Sequence, residues 1–145
     1  MIKHQDNQFI YNGIAAVQFP NGMCIDCDNE SGGEDRFQFV SPDGKLRLCM
    51  EFFTSSKSAR ELIEELNDPE EHEIIFPIRA IKTPTGVRGY VITYAVGDDR
   101  YEEGTLNLGG DARFNYWLWQ ERDNPCDYSL LEQVKSELLD NIKII

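Results

Sequence analysis

Positive charge and histidine are both scarce in this sequence. Its 145 residues hold 14 lysines and arginines against 26 aspartates and glutamates, with two histidines, for a net charge of −12. Phosphate backbones are gripped by clusters of Lys and Arg, so nucleic acid and anionic membrane are poor partners for such a surface. Long apolar runs are missing as well. None approaches the roughly 18–20 residues that span a bilayer, and the opening residues Met1-Ile2-Lys3-His4-Gln5 lack the apolar stretch of a signal peptide. The expectation is a cytoplasmic protein whose four cysteines stay reduced. A basic protein partner, or a divalent cation, is what this charge would attract.

Catalytic signatures are equally sparse. A cysteine nucleophile needs a histidine, but His4 lies near the start and His72 in an acidic stretch expected to be solvated. There is no G-x-S-x-G elbow and no phosphate-cradling glycine loop. Cys24 and Cys27 form a C-x2-C pair, yet on a strand positions three apart point to opposite faces. Cys49 and Cys126 have no second ligand at knuckle spacing. The loop from Asp26 to Asp35 alternates carboxylates as a calcium loop does. However, Ser31 stands where the glycine is required and Phe37 where the bidentate glutamate belongs. No metal, cofactor or catalytic residue is therefore expected.

What the chain does have is period-2 alternation. Hydrophobic residues at 41% and charged residues at 28% are ordinary for a globular chain, and residues 1–145 read as a single α+β domain. Turn residues at Pro20-Asn21-Gly22, Pro42-Asp43-Gly44, Thr83-Pro84-Thr85-Gly86, Gly97-Asp98-Asp99 and Gly109-Gly110-Asp111 separate the strands. The clearest hairpin joins Arg36–Val40 to Lys45–Phe53, with Phe37 and Phe39 sharing a face with Leu46, Leu48, Met50 and Phe52. Glu73–Lys82, Val87–Val96, Arg100–Leu108 and Arg113–Gln120 continue as a meander, and Ile14–Phe19 and Met23–Cys27 are shorter strands near the start.

Two segments have helical spacing instead. Ala59, Leu62, Ile63 and Leu66 follow a Ser58–Glu61 capping box and end at Asn67-Asp68-Pro69. A second helix is expected from about Ser129, with Glu132 three residues on, to Ile142. Strands that follow one another without helical crossovers predict an antiparallel sheet flanked by helices.

In layout the chain resembles the PsbP-like superfamily, which includes the Ran-binding Mog-type proteins and related bacterial proteins. The residues that carry the resemblance are the strand and turn Ala15-Ala16-Val17-Gln18-Phe19-Pro20-Asn21-Gly22, the Phe-rich hairpin from Phe37 to Phe53 leading to a helix at Ser58, the Gly86-Val87-Arg88-Gly89-Tyr90 strand pair, and a closing helix from Ser129 to Ile145. The resemblance implies an α/β/α sandwich and a binding or accessory role. It transfers no site residue, and the chain departs from the pattern in having no clear N-terminal helix.

Two regions remain as candidate binding surfaces. Glu61, Glu64, Glu65 and Asp68 lie on the outward side of the first helix or just beyond it, with no basic residue between Arg60 and Arg79. Alternation puts Trp117 and Trp119 on one face of their strand and Phe114, Tyr116 and Leu118 on the other. That pattern is either a central strand covered on both sides, the preferred reading, or one with a recognition patch. The functional expectation is a non-catalytic protein-binding or accessory module acting through its acidic surface. The alternative is a small-molecule-binding protein or enzyme with a pocket between sheet and helix.

Overall fold

The computed structural model describes residues 2–5, 8–18, 20, 21, 23–27 and 36–145, with the backbone alone for 2–5 and 25–27. Most of the Asp26–Asp35 loop lies outside the described residues. The elements are β1 (Ile2–Gln5), β2 (Gln8–Tyr11), β3 (Ala15–Gln18), β4 (Cys24–Cys27), β5 (Arg36–Val40), β6 (Arg47–Thr54), α1 (Ala59–Glu64), β7 (Glu73–Lys82), β8 (Arg88–Val96), β9 (Asp99–Gly109), β10 (Ala112–Glu121), α2 (Tyr128–Asp140) and β11 (Lys143–Ile144). This is an α+β fold of antiparallel sheets with two helices.

The larger sheet has seven strands in the order β4-β5-β6-β10-β9-β8-β7. Its registers follow the alternation of the sequence. Phe37 lies opposite Met50 and Phe39 opposite Leu48, and β6 in turn sets Met50 against Tyr116 and Leu48 against Leu118. A single face thus collects Phe39, Leu48, Met50, Phe52, Phe114, Tyr116 and Leu118, all buried. The Ser41–Leu46 turn closes through Gly44, whose φ of 74° suits glycine, and through the Asp43 carboxylate, which accepts from Ser41 Oγ and the Lys45 amide.

A second sheet of four strands, β1-β2-β3-β11, was not foreseen. The fold is therefore two antiparallel sheets with helices rather than one sheet. Phe9 and Tyr11 of β2 carry the smaller sheet onto the larger. The Phe9 ring stacks on Phe37 at 4.1 Å and the Tyr11 ring on Phe52 at 5.0 Å. Helix α2 joins the same layer by burying Val134 and Leu138, followed by Ile142. Fully burying one such side chain is worth roughly 1.5–3 kcal/mol.

Helix α1 covers part of the opposite face, over β8 and β9. Ile63 is fully buried there against Ile92 and Tyr94, flanked by Leu66, Ile74 and Tyr101. The expected capping box is present in both halves: Glu61 N–H donates to Ser58 Oγ, and Ser58 N–H donates to the Glu61 carboxylate. The second helix starts earlier than the sequence suggests. Asp127, not Ser129, is its cap, because the Asp127 carboxylate accepts both the Ser129 amide and the Ser129 hydroxyl.

Candidate functional site

Both tryptophans sit on the face that α1 shares, in the part over β5, β6 and β10. Cross-strand registers arrange this face as rows. One row runs Gln38, Cys49, Trp117, Glu103, Ile92 and the next Val40, Arg47, Trp119, Tyr101, Tyr94. Trp117 and Trp119 are half-buried, whereas Phe114, Tyr116 and Leu118 are buried behind them. The strand is central, as expected. Among the described residues, however, no helix is seen to pack over its tryptophan side as α2 and the smaller sheet pack over the other.

The face is polar and aromatic together. The Arg36 guanidinium lies 4.7 Å from the Trp117 ring centre, donates from Nε to Cys49 Sγ at 3.4 Å, and approaches Glu51 at 3.8 Å. Beside it, the Glu103 carboxylate accepts from Tyr94 Oη at 2.9 Å and Asn115 Nδ2 at 3.1 Å. Thr105 Oγ1 donates to Asn115 Oδ1 at 2.6 Å, which fixes the orientation of the amide. Aromatic rings then run across three strands: Trp119 to Tyr101 at 6.1 Å, Tyr101 to Tyr94 at 5.2 Å, and Tyr94 to the His72 imidazole at 4.6 Å.

Burial controls the chemistry of this cluster. It pushes the Glu103 carboxyl up, against the opposing pull of the Asn115 and Tyr94 hydrogen bonds. It pushes the Tyr94 phenol up as well, helped by the neighbouring Glu103 charge. The Cys49 thiol is also raised by burial, although its bond with Arg36 works the other way, so the sulfur is a thiol rather than a nucleophilic thiolate. His72 is half-buried, not solvated as expected, and its Nδ1 lies 2.8 Å from the Leu66 carbonyl. Since a carbonyl only accepts, Nδ1 carries the proton. No nucleophile stands within hydrogen-bonding reach of that ring among the described contacts.

The raised Glu103 value has a measurable outcome. The folded chain holds this proton more tightly than the unfolded chain, whose glutamate titrates at about 4.3. The protonated carboxyl therefore supports folding fully below that value, and the support is lost as pH rises through the folded-state pKa. Glu103→Gln is expected to match wild-type stability near pH 4 and to exceed it at pH 7. Parallel melting curves from pH 4 to 8 check this; a gap that stays constant with pH would contradict it.

The acidic residues assemble differently. Glu61, Glu64 and Glu65 are exposed, but Glu64 pairs with Arg60 at 2.9 Å, Glu65 pairs with Lys57, and Glu61 serves the capping box. Asp68 is half-buried and accepts from the Glu70 amide at 3.0 Å, closing the turn after α1. The cysteine reading needs correction in one respect. A bulge between Ile25 and Cys27 sets Cys24 opposite Val40 and Cys27 opposite Gln38, which interrupts the alternation assumed for the pair. Cys49 lies on the tryptophan face and Cys126 packs in the core on the other side. Among the described residues, no group of three or more His, Cys, Asp and Glu is placed to hold a metal ion, and no helix is long and apolar enough to cross a membrane.

Two hollows adjoin these elements. The one between the larger sheet and α2, lined by Thr93, Glu102, Leu118 and Leu131, measures about 30 Å³, room for about one water. Beside Trp119, a more polar hollow of about 340 Å³ is lined by Asp43, Lys45, Arg47, Asp99 and Glu121.

The chain is thus an α+β protein of antiparallel sheets with one partly open, aromatic sheet face. No family model and no curated protein matches it. Among solved structures, a crystal structure at 1.50 Å resolution from Bacteroides thetaiotaomicron VPI-5482 aligns with 98% of this chain at 14% identity and a TM-score of 0.49. The alignment takes in 49% of that protein, so this chain spans about half its length.

Proposed function

We propose that this chain is a non-catalytic binding or accessory module, of the PsbP-like kind that its layout resembles, and that it docks a basic protein partner across the tryptophan face. The observation that carries the reading is the half-burial of Trp117 and Trp119 on the partly open side of a central strand, ringed by Arg36, Arg47, Glu51 and Tyr101. Aromatic and arginine anchors framed by polar groups are the composition of binding hot spots. The net charge of −12 selects a basic partner by long-range attraction. Because Glu64 and Glu65 already hold cations, the α1 carboxylates steer the partner rather than form the specific contacts.

Beneath α2 the hollow is about 30 Å³, room for a water rather than a ligand. The second reading, a small-molecule binder or enzyme, rests instead on the hollow beside Trp119. Thermal-shift measurements against metabolites and metals distinguish it, since a ligand stabilises the folded state by mass action.

The docking reading is tested with the full chain immobilised in native extract at low salt, followed by affinity measurement on the captured basic protein. Trp117→Ala/Trp119→Ala is expected to lower affinity by roughly 30-fold or more, as hot-spot truncations of about 2 kcal/mol do. Glu61→Gln/Glu64→Gln/Glu65→Gln is expected to slow association and flatten its salt dependence while leaving dissociation unchanged. Equal capture by the tryptophan variant and wild type would overturn the assignment.

A further inference from the structure

Across the edge of the larger sheet lies a row of hydrogen-bond donors. Lys82 of β7 stands directly opposite Arg88 of β8, Arg88 opposite Asn107 of β9, and Asn107 opposite Arg113 of β10. Like charges facing one another across a strand pair destabilise it, and this chain has carboxylates in excess with which to relieve such a pair. Elsewhere they do so: Arg36, Arg60, Arg79 and Arg122 each approach a carboxylate at 4 Å or less. Among the described residues, no carboxylate is within ion-pairing distance of Lys82 or Arg88. Arg113 is not free to help, because its guanidinium donates to the carbonyls of Lys57, Gly110 and Ala112.

Lys82, Arg88 and Asn107 line a hollow of about 410 Å³, within the size range of small-ligand sites. Adjacent strands are about 4.8 Å apart, so three donors abreast can converge on one oxyanion. The remaining wall is apolar, from Ala80 and the ring of Tyr90, which alternation puts on the same face, with Ile81 contributing backbone only because its side chain packs into the core behind. One side of that ring carries Arg60, 5.7 Å away and already paired with Glu64.

The geometry points to a binding site here for a phosphate monoester: Lys82, Arg88 and Asn107 hold the dianion, and Tyr90 and Ala80 receive the apolar body it is attached to. The site is independent of the docking reading, since it uses neither tryptophan. It is also the reverse of what the overall charge suggests, a local cationic recess in an acidic chain, which restricts it to small anions rather than polyanions.

Amide spectra of the full chain, titrated with phenyl phosphate, inorganic phosphate and phenol, test the assignment. Phenyl phosphate is expected to shift the amides of residues 80–82, 88–90 and 107 saturably, and inorganic phosphate the same set more weakly or not at all. Phenol is expected to leave them in place. Both charged side chains are exposed, so Lys82→Gln/Arg88→Gln keeps the wild-type spectrum elsewhere, and it is expected to weaken phenyl phosphate binding at least tenfold, as losing one charge-assisted hydrogen bond would. No saturable shift, a saturable shift confined to other residues, phenol binding as tightly as phenyl phosphate, or unchanged affinity in the double variant would each overturn it.

Discussion

Replacing Gly89 by alanine is expected to destabilise this protein more than the same change at any other described glycine. A Cβ at position 89 would stand 2.0 Å from the Thr105 carbonyl oxygen and 2.7 Å from Leu106 Cδ2. The first obstacle is backbone in the adjacent central strand, which cannot swing aside as a side chain can. Overpacking a well-filled core costs about 1–3 kcal/mol and at times more, and this contact belongs at the upper end, about 3 kcal/mol. For a domain of this size that lowers the melting temperature by roughly 10 °C. Gly104→Ala is the control. Its Cβ would meet the buried Tyr116 ring at 2.4 Å, but the obstacle there is a side chain. A smaller loss, about 2 kcal/mol, is expected. Calorimetric melting of both variants checks the order; a Gly89→Ala protein as stable as wild type would show that β8 and β9 separate more easily than their register implies.

The second large effect is expected at Arg113, which is buried with 7% of its surface exposed. Its guanidinium ties three carbonyls, those of Lys57, Gly110 and Ala112, at 2.8–3.1 Å. Those bonds fasten the connector before α1 to the β9–β10 turn, and the Ser55 amide adds a fourth tie by donating to the Asp111 carbonyl. Arg113→Met keeps the aliphatic volume and removes the donors. Leaving carbonyls unsatisfied costs about 1–3 kcal/mol for a buried group, and the more exposed of the three can turn to water, so about 2–3 kcal/mol in total is expected. The loss should also be local. Hydrogen exchange is expected to accelerate in residues 55–66 more than in β6 or β10, because α1 loses its anchor before the sheet loses its ladder. Uniform acceleration throughout the chain would contradict that reading.

The larger sheet was legible because alternation, turn chemistry and register all act locally. Phe37, Phe39, Leu48 and Met50 declare a face, and the turn of Ser41 to Leu46 allows few other pairings. The α1 capping box was legible for the same reason, since Ser58 and Glu61 are three residues apart. The smaller sheet was not. Its strands are four residues or shorter, and β3 finds β11 from the far end of the chain, a pairing to which no local pattern points. Asp127 and Ser129 both suit a helix cap, and only the backbone decides between them.

At the candidate site, the parity of Trp117 and Trp119 followed from alternation, but their surroundings did not. Glu102 and Glu103 are neighbours on a strand, so one must face each side; that signal could have found Glu103. What makes Glu103 distinctive is Tyr94 and Asn115, each on a neighbouring strand, and their convergence is a property of the register. The Lys82–Arg88 pair was hidden in the same way, by six residues of sequence and one hairpin.

The pairing of β11 with β3 also orders events in time. Every strand of the larger sheet lies between residues 24 and 121, whereas the smaller sheet lacks its last strand until residue 144 has been made. During synthesis the seven strands, and the Phe9 and Tyr11 of β2 that stack on Phe37 and Phe52, are therefore complete before α2 and β11 exist to close the same side. This places a stage exposed to aggregation between the synthesis of residues 121 and 144, when the sheet waits for the rest of its cover.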